Sequence, residues 1–205
     1  MQTHPGPTFR TGLAEEADLR AILELQRSNR AHSADGFVTV EHTEAILRAM
    51  HRELPHVVAR DDDGGLAGYA LSMAPSCRVL LPILEPMFAR IEESRERRER
   101  LGRYYVMGQI CVAERFRGCG VFDALYAEHR ARFAGSYDAC VTEISVRNPR
   151  SLRAHARVGF VEELRYRDAT DDWVVVALHL PVADGSARSA GVVIPAASAG
   201  TPARA

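Results

Sequence analysis

Lysine is missing altogether: every one of the 26 basic residues in this 205-residue chain is arginine. That excludes a Schiff-base lysine, a nucleophilic lysine and the lysine of a Walker-A loop. Any phosphate this chain binds is held by arginine or by backbone N–H groups. An excess of either charge is missing too, since 26 basic residues face 27 acidic ones for a net charge of −1. Such a balance leaves no field to draw in nucleic acid or an anionic membrane. Long apolar runs are also absent, and no stretch approaches the roughly 20 residues that span a bilayer. No secretory signal is read in Met1 to Arg10, which has no basic segment leading into an apolar one. The four cysteines, Cys77, Cys111, Cys119 and Cys140, form neither a CxxC pair nor a disulfide framework. Scattered thiols of this kind suit a reducing, cytoplasmic setting.

What is present reads as one soluble globular domain, with 46% apolar and 26% charged residues. Phe9 to Leu13 predicts a first strand. Leu19, Ile22, Leu23 and Gln26 give Glu15 to Arg30 the spacing of a helix. A loop from Ala31 to Val40 leads to a second helix from near Thr43 to before Pro55, then strands at His56 to Arg60 and Leu66 to Met73. Asp61 to Gly65 between them is rich in residues that tolerate positive φ, as a hairpin turn requires. An insert follows at about 75–103. Its first part is apolar, and either covers one side of the domain or forms a homodimer contact. Its second part is charged, with Glu93–Arg97, Glu96–Arg100 and Glu99–Arg103 at helical i,i+4 spacing.

Tyr104 to Val112 predicts a strong strand with Val106, Ile110 and Val112 on one face, and Gly108 in its middle suggests a bulge. The next helix places Phe122, Leu125, Tyr126, His129 and Phe133 on one side. Asp138 to Val146, Phe160 to Tyr166 and Trp173 to Leu180 read as strands. Arg150 to Val158 reads as a short helix ended by Gly159. From about Val182 the chain is Ala, Gly, Ser and Pro, the composition of a flexible tail over 182–205. The order implies a mixed α/β layer.

The stretch from Val112 to Val121 (VAERFRGCGV) lies between a buried strand and an amphipathic helix. Gly118 and Gly120 let the backbone turn tightly and let a ligand approach closely. The first N–H groups of the following helix have no internal partner and carry its positive dipole end. Together they form a place for a pyrophosphate, to which Arg115 and Arg117 add charge. A GxG pair taken alone is equally well a turn.

In context this stretch resembles the acetyl-CoA signature of the GNAT superfamily of N-acetyltransferases, Gln/Arg-x-x-Gly-x-Gly/Ala, through Arg115, Gly118 and Gly120. A second segment, Asn148 to Phe160, resembles that superfamily's Asn-x-x-Ala/Ser-x-x-x-Tyr-x-x-x-Gly-Phe, with His155 in place of the tyrosine. The resemblance implies a single-domain α/β fold over 8–181, with a mixed, mostly antiparallel sheet of about six to seven strands flanked by helices. It further implies acetyl-CoA as cosubstrate. The pantetheine arm would lie along Ile110, Cys111 and Val112, and the pyrophosphate on Arg117, Gly118, Cys119, Gly120 and Val121. Arg115 and Asn148 would be further cofactor contacts, and Gly108 would mark the place where the sheet splays.

Attack of an amine on a thioester needs a base for the amine and an acid for the leaving thiolate. In the ribosomal-protein branch of the superfamily, a fifth-strand glutamate and a tyrosine twelve residues on take these roles. Glu143 and His155 occupy those positions here. Histidine, with a reference pKa of about 6.5, donates a proton only if something keeps it charged. A base, or a plain cofactor contact, is the other role open to it. Glu143 is equally read as a solvent-facing strand residue. The remaining histidines lack metal spacing, so no metal site is expected. Cys111 and Cys140 have no recognisable activating partner, so transfer is expected to be direct rather than through an acyl-enzyme. The acceptor is expected to be a primary amine on a small molecule or a peptide N-terminus, near the loop 31–40, Asp35, Tyr104, Tyr105 and the insert. A non-enzymatic acyl-CoA sensor is the alternative.

Overall fold

A computed structural model describes residues 8–31 and 40–181, so the expectations for Asp35 and for the tail lie outside the described residues. β1 (Phe9–Leu13) and α1 (Asp18–Ala31) are followed by α2 (Glu44–Glu53). Thr43 caps α2, its hydroxyl accepting the Ile46 N–H at 3.3 Å and so satisfying one first-turn donor. The hairpin of β2 (Val57–Asp61) and β3 (Leu66–Met73) turns at Gly64, φ +82°. Asp61 accepts the N–H groups of Asp63 and Gly65 at 3.1 and 2.7 Å, which fixes the turn.

The insert comprises two short 3₁₀ stretches, Pro75–Leu80 and Pro82–Leu84, then α3 (Glu85–Glu92) and α4 (Arg95–Leu101). Met87, Phe88 and Ile91 of α3 are fully buried, so the apolar part covers one side of the domain. The charged part departs from the expected pairing. Ser94 starts a new helix by capping Arg97 N–H at 3.3 Å, and this break sends Glu93 back to Arg90 at 3.0 Å. Arg103 lies beyond the helix end and pairs with Asp138 at 3.1 Å. Of the three predicted pairs only Glu96–Arg100 forms, at 3.5 Å.

β4 (Tyr104–Val112), α5 (Val121–Phe133), β5 (Ala139–Ser145), α6 (Pro149–Arg157), β6 (Val161–Arg167) and β7 (Asp172–His179) complete one seven-stranded sheet in the order β1-β2-β3-β4-β5-β7-β6. Only β4 and β5 are parallel; every other pairing is antiparallel. On one face, α1, α2 and the insert pack on Val58, Tyr69, Leu71, Val106, Val141 and Val175. On the other, α5 packs on Val57, Ala70, Tyr105, Met107, Cys140 and Val176. Gly68 brings α5 close to the sheet: a Cβ there would stand 2.8 Å from the Cys111 carbonyl oxygen and 2.9 Å from Val121 Cγ1.

Gly108 is the bulge. Leu71 pairs with Gln109 and Ser72 with Met107, leaving Gly108 without a counterpart in β3. One extra residue reverses the alternation of β4. Val106 and Cys111 therefore join the α1–α2 face, while Ile110 and Val112 turn to the α5 face. The expectation that Val106, Ile110 and Val112 share a face fails for this reason.

Candidate active site

β4 and β5 stay in register only from Tyr104↔Ala139 to Val106↔Val141. Beyond the Gly108 bulge the two parallel strands separate, and the β5-facing backbone of Met107 to Val112 has no strand partner. The opening holds two adjoining cavities of about 50 and 100 Å³. Val40, Met107, Gly108, Thr142, Glu143 and Trp173 line both, which makes them one passage through the sheet.

Glu143 stands in this passage. β5 alternation puts it on the α1–α2 side with Val141, beyond the point where β4 still covers the strand. Its carboxylate accepts a hydrogen bond from the Tyr166 hydroxyl of β6. Burial pushes the carboxyl up to about 7, with the Tyr166 bond pulling the other way and the negative charge of Asp168 adding to the rise. Burial and the neighbouring carboxylate drive the Tyr166 hydroxyl upward, so the tyrosine remains a proton donor to Glu143. A carboxyl that titrates near neutrality at a cavity wall is chemically suited to accept a proton from an amine.

His155 lines the larger cavity together with Glu143. It is 2% exposed, and burial lowers its imidazole to about 4. Nδ1 lies 2.8 Å from the Ser151 carbonyl, which can only accept, so the ring proton sits there. Nε2 therefore accepts from the Tyr126 hydroxyl at 2.8 Å. A neutral imidazole carries a single N–H, and here it is bonded to the Ser151 carbonyl. Its place in the wall of the larger cavity is the position that a cofactor contact would need.

The β4–α5 turn is open and glycine-shaped. Gly118 and Gly120 adopt φ +79° and +84°, and a Cβ at either would meet nothing within 4 Å, which leaves open space beside the backbone. Gly120 is the N-cap of α5, whose first N–H groups point out of the helix. Arg117 is exposed and donates to Asn29 Oδ1 at 3.0 Å. Arg115 instead forms an ion pair with Asp61 and lies over the Phe116 ring at 4.9 Å. Arg115 thus ties the loop to the β2–β3 turn while its side chain stays largely exposed. Cys119 is half-buried, its Sγ 3.8 Å from the Arg117 carbonyl. Val121 is buried beneath the loop. Ile110 lines the larger cavity, as does Asn148, whose side chain also caps α6 through the Ser151 N–H at 3.0 Å.

Cys111 and Val112 hold the far end of β4. Asn29 Nδ2 donates to the Cys111 sulfur, and to the Val112 carbonyl at 3.4 Å. Burial raises the thiols of Cys111 and Cys140, the latter to about 12, and so removes their nucleophilic form. Val40 and the insert residues Ile83, Leu84 and Met87 line the smaller cavity. Tyr105 does not: it is buried on the opposite face with its hydroxyl 2.9 Å from His129 Nδ1. Tyr104 packs near Phe88, ring centroids 6.5 Å apart. Tyr166, Trp173 and Asn29 were not singled out from the sequence. For Tyr166 a signal existed, since β6 alternation gives it the inward side with Leu164. Among the described residues no group of three or more His, Cys, Asp or Glu is placed to hold a metal ion, and no helix is long and apolar enough to cross a membrane.

No protein-family model and no curated protein matches the chain. Many solved structures do. A GNAT-superfamily phosphinothricin acetyltransferase from Sinorhizobium meliloti, solved with acetyl-CoA, is 20% identical over 84% of this chain and 89% of its own, with a TM-score of 0.58. An N-acetyltransferase from Staphylococcus aureus is 18% identical over 85% and 99%, TM-score 0.58. The ribosomal-protein-S18-alanine N-acetyltransferase from Escherichia coli is 14% identical over 87% and 98%, TM-score 0.58. The seven-stranded mixed sheet flanked by helices is thus the GNAT fold.

Proposed function

We propose that this GNAT-fold chain is an acetyl-CoA-dependent N-acetyltransferase in which Glu143 takes the proton from a primary-amine acceptor. The observation that carries the reading is the position of Glu143, a carboxyl titrating at about 7 in the wall of the passage that opens at Gly108. The residues present fit the cosubstrate. The β5-facing edge of β4 beyond Val106, which no strand covers, offers hydrogen bonds to an amide-rich arm, and the open Gly118–Gly120 turn at the α5 N-terminus offers N–H groups to a pyrophosphate. Bound acetyl-CoA would supply the activated acetyl group as its thioester.

The chain's own residues divide the remaining work. Glu143 removes the ammonium proton so that nitrogen is nucleophilic, and Tyr166 holds the carboxylate in place. Val40, Leu84 and Met87 keep water away from one side of the passage. Burial raises the Cys111 and Cys140 thiols, which supports direct transfer within a ternary complex over an acyl-enzyme on either of them. The acceptor class is a small-molecule amine or a peptide N-terminus.

A thiol-release assay across a panel of primary amines, with mass spectrometry of the products, tests the proposal. Turnover that yields N-acetylated product in the wild type and collapses in Glu143→Gln is expected. Tight acetyl-CoA binding with no turnover of any amine would instead identify an acyl-CoA sensor.

A further inference from the structure

A second cleft, of about 330 Å³, lies between the insert and the edge strand β6, and nothing in the proton transfer uses it. Arg90 and Arg97 line it from the helices, Arg165 and Arg167 from the strand, with Glu93 the one carboxylate in its wall. Tyr166 forms part of the same wall while its hydroxyl bonds Glu143. The cleft and the proposed base are therefore separated by the length of one tyrosine side chain.

Three of these guanidiniums have exposed carboxylate partners: Arg90 with Glu93 at 3.0 Å, Arg165 with Glu162 at 2.8 Å, and Arg167 with Asp172 at 2.5 Å. Such surface pairs hold weakly and can exchange for a ligand anion. Arg97 has no carboxylate partner among the described residues. It donates Nη1 to the Arg90 carbonyl, and its Nε–H is buried with no hydrogen-bond partner. The planar guanidinium fork suits a carboxylate or another oxoanion.

We infer that the acceptor is an anionic amine, whose amino group meets Glu143 while its carboxylate or equivalent oxoanion is held in the cleft by Arg97 and Arg90. This rests on Glu143 as the base and narrows the acceptor to amino-acid-like molecules over polycationic amines. The same cleft repels a second ammonium group, which gives selectivity as well as affinity.

The test uses matched acceptors, each amino carboxylate paired with its neutral carboxamide, over a series of chain lengths. Wild-type kcat/KM should favour the carboxylate by about tenfold or more at the best length. Arg97→Gln and Arg90→Gln should raise KM for the carboxylate by a similar factor, with kcat little changed and the carboxamide unaffected. Equal rates for the two members of every pair, or a preference for polycationic amines, would overturn the inference. Binding of glutarate, which has no amine, is followed separately by titration calorimetry in the wild type, Glu143→Gln and the double arginine variant. Saturable binding lost only in the arginine variant supports the cleft even if no amine is turned over, a result that would count against the base alone. If the wild type shows neither glutarate binding nor a carboxylate preference, the cleft is not an anion site.

Discussion

The Tyr166 hydroxyl of β6 donates to the Glu143 carboxylate of β5, reaching past β7, which lies between those two strands in the sheet. This bond opposes the burial that raises Glu143, so the carboxyl titrates near neutrality rather than above it. It couples an edge strand to the centre of the passage, and it lets changes at Tyr166 be read as changes in a pH profile.

If Glu143 is the base, kcat/KM rises with pH to a limb near 7 and then levels. Glu143→Gln should lower kcat by roughly 10²-fold or more and abolish that limb. Tyr166→Phe removes the interaction that favours the charged carboxylate, so the limb moves to higher pH with the plateau largely kept. Stability follows the opposite sign. The folded value lies above the ordinary carboxyl value of 4.5, so ionising Glu143 costs nothing below that and destabilises the fold as pH rises through 7. Urea unfolding at about pH 8 should show the Gln variant at least as stable as the wild type. A pH profile unchanged in both variants would remove Glu143 from the chemistry.

Gly118→Glu tests the phosphate turn. The position has φ +79° and open space, so the change places strain and negative charge where a pyrophosphate is expected. Coenzyme A affinity measured by calorimetry should fall at least about tenfold, consistent with loss of charge-assisted bonds. The cooperative melt should persist, since no packed atom is displaced. Wild-type affinity in the variant would place the pyrophosphate elsewhere.

The strands and helices of this fold were legible to within about two residues because apolar alternation and glycine punctuation mark them locally. Gly108 was readable as a bulge, but its consequence was not: the alternation was carried straight through, and Ile110 and Val112 were assigned to the wrong face. Arg115 matched a signature, yet only the tertiary structure shows Asp61 waiting for it across the β2–β3 turn. Tyr166 carries no motif, and its link to Glu143 depends on strand order, which residue spacing does not encode. His155 fitted a twelve-residue spacing, while its burial against Tyr126 and Phe160 decided its protonation.

Gly68→Ala probes how the anion-binding turn is seated. The new Cβ would stand 2.8 Å from the Cys111 carbonyl and 2.9 Å from Val121 Cγ1, and a carbonyl cannot swing aside as a flexible side chain can. The strand must shift or α5 must lift, at a cost of about 1–3 kcal/mol. Because α5 also presents the N–H groups of the turn, and Gly68 pairs with Val112 at the end of β4, the same substitution should weaken coenzyme A binding although residue 68 is not itself part of the turn. Denaturant midpoints and calorimetry together check this: lost stability with intact affinity would show the turn to be independent of α5 packing.

Acid should unfold the domain through its buried imidazoles. Burial holds His56 and His129 at about 3 and His42 and His155 at about 4, all below the ordinary 6.5. Above pH 6.5 each is neutral in both states, and its neutral burial is fully tolerated. As pH falls from 6.5 towards these lowered values, the unfolded chain takes up protons that the folded one refuses, so stability declines across that window. Glu143 works against this between about 7 and 4.5, where its neutral form favours the fold. Four histidines outweigh one carboxyl, and a net loss of at least about 2 kcal/mol is expected between about pH 7.5 and pH 5. The urea midpoint, followed by circular dichroism at both pH values, reports it. An unchanged midpoint would mean that these imidazoles carry a proton inside the fold, which would also favour His155 as a proton donor.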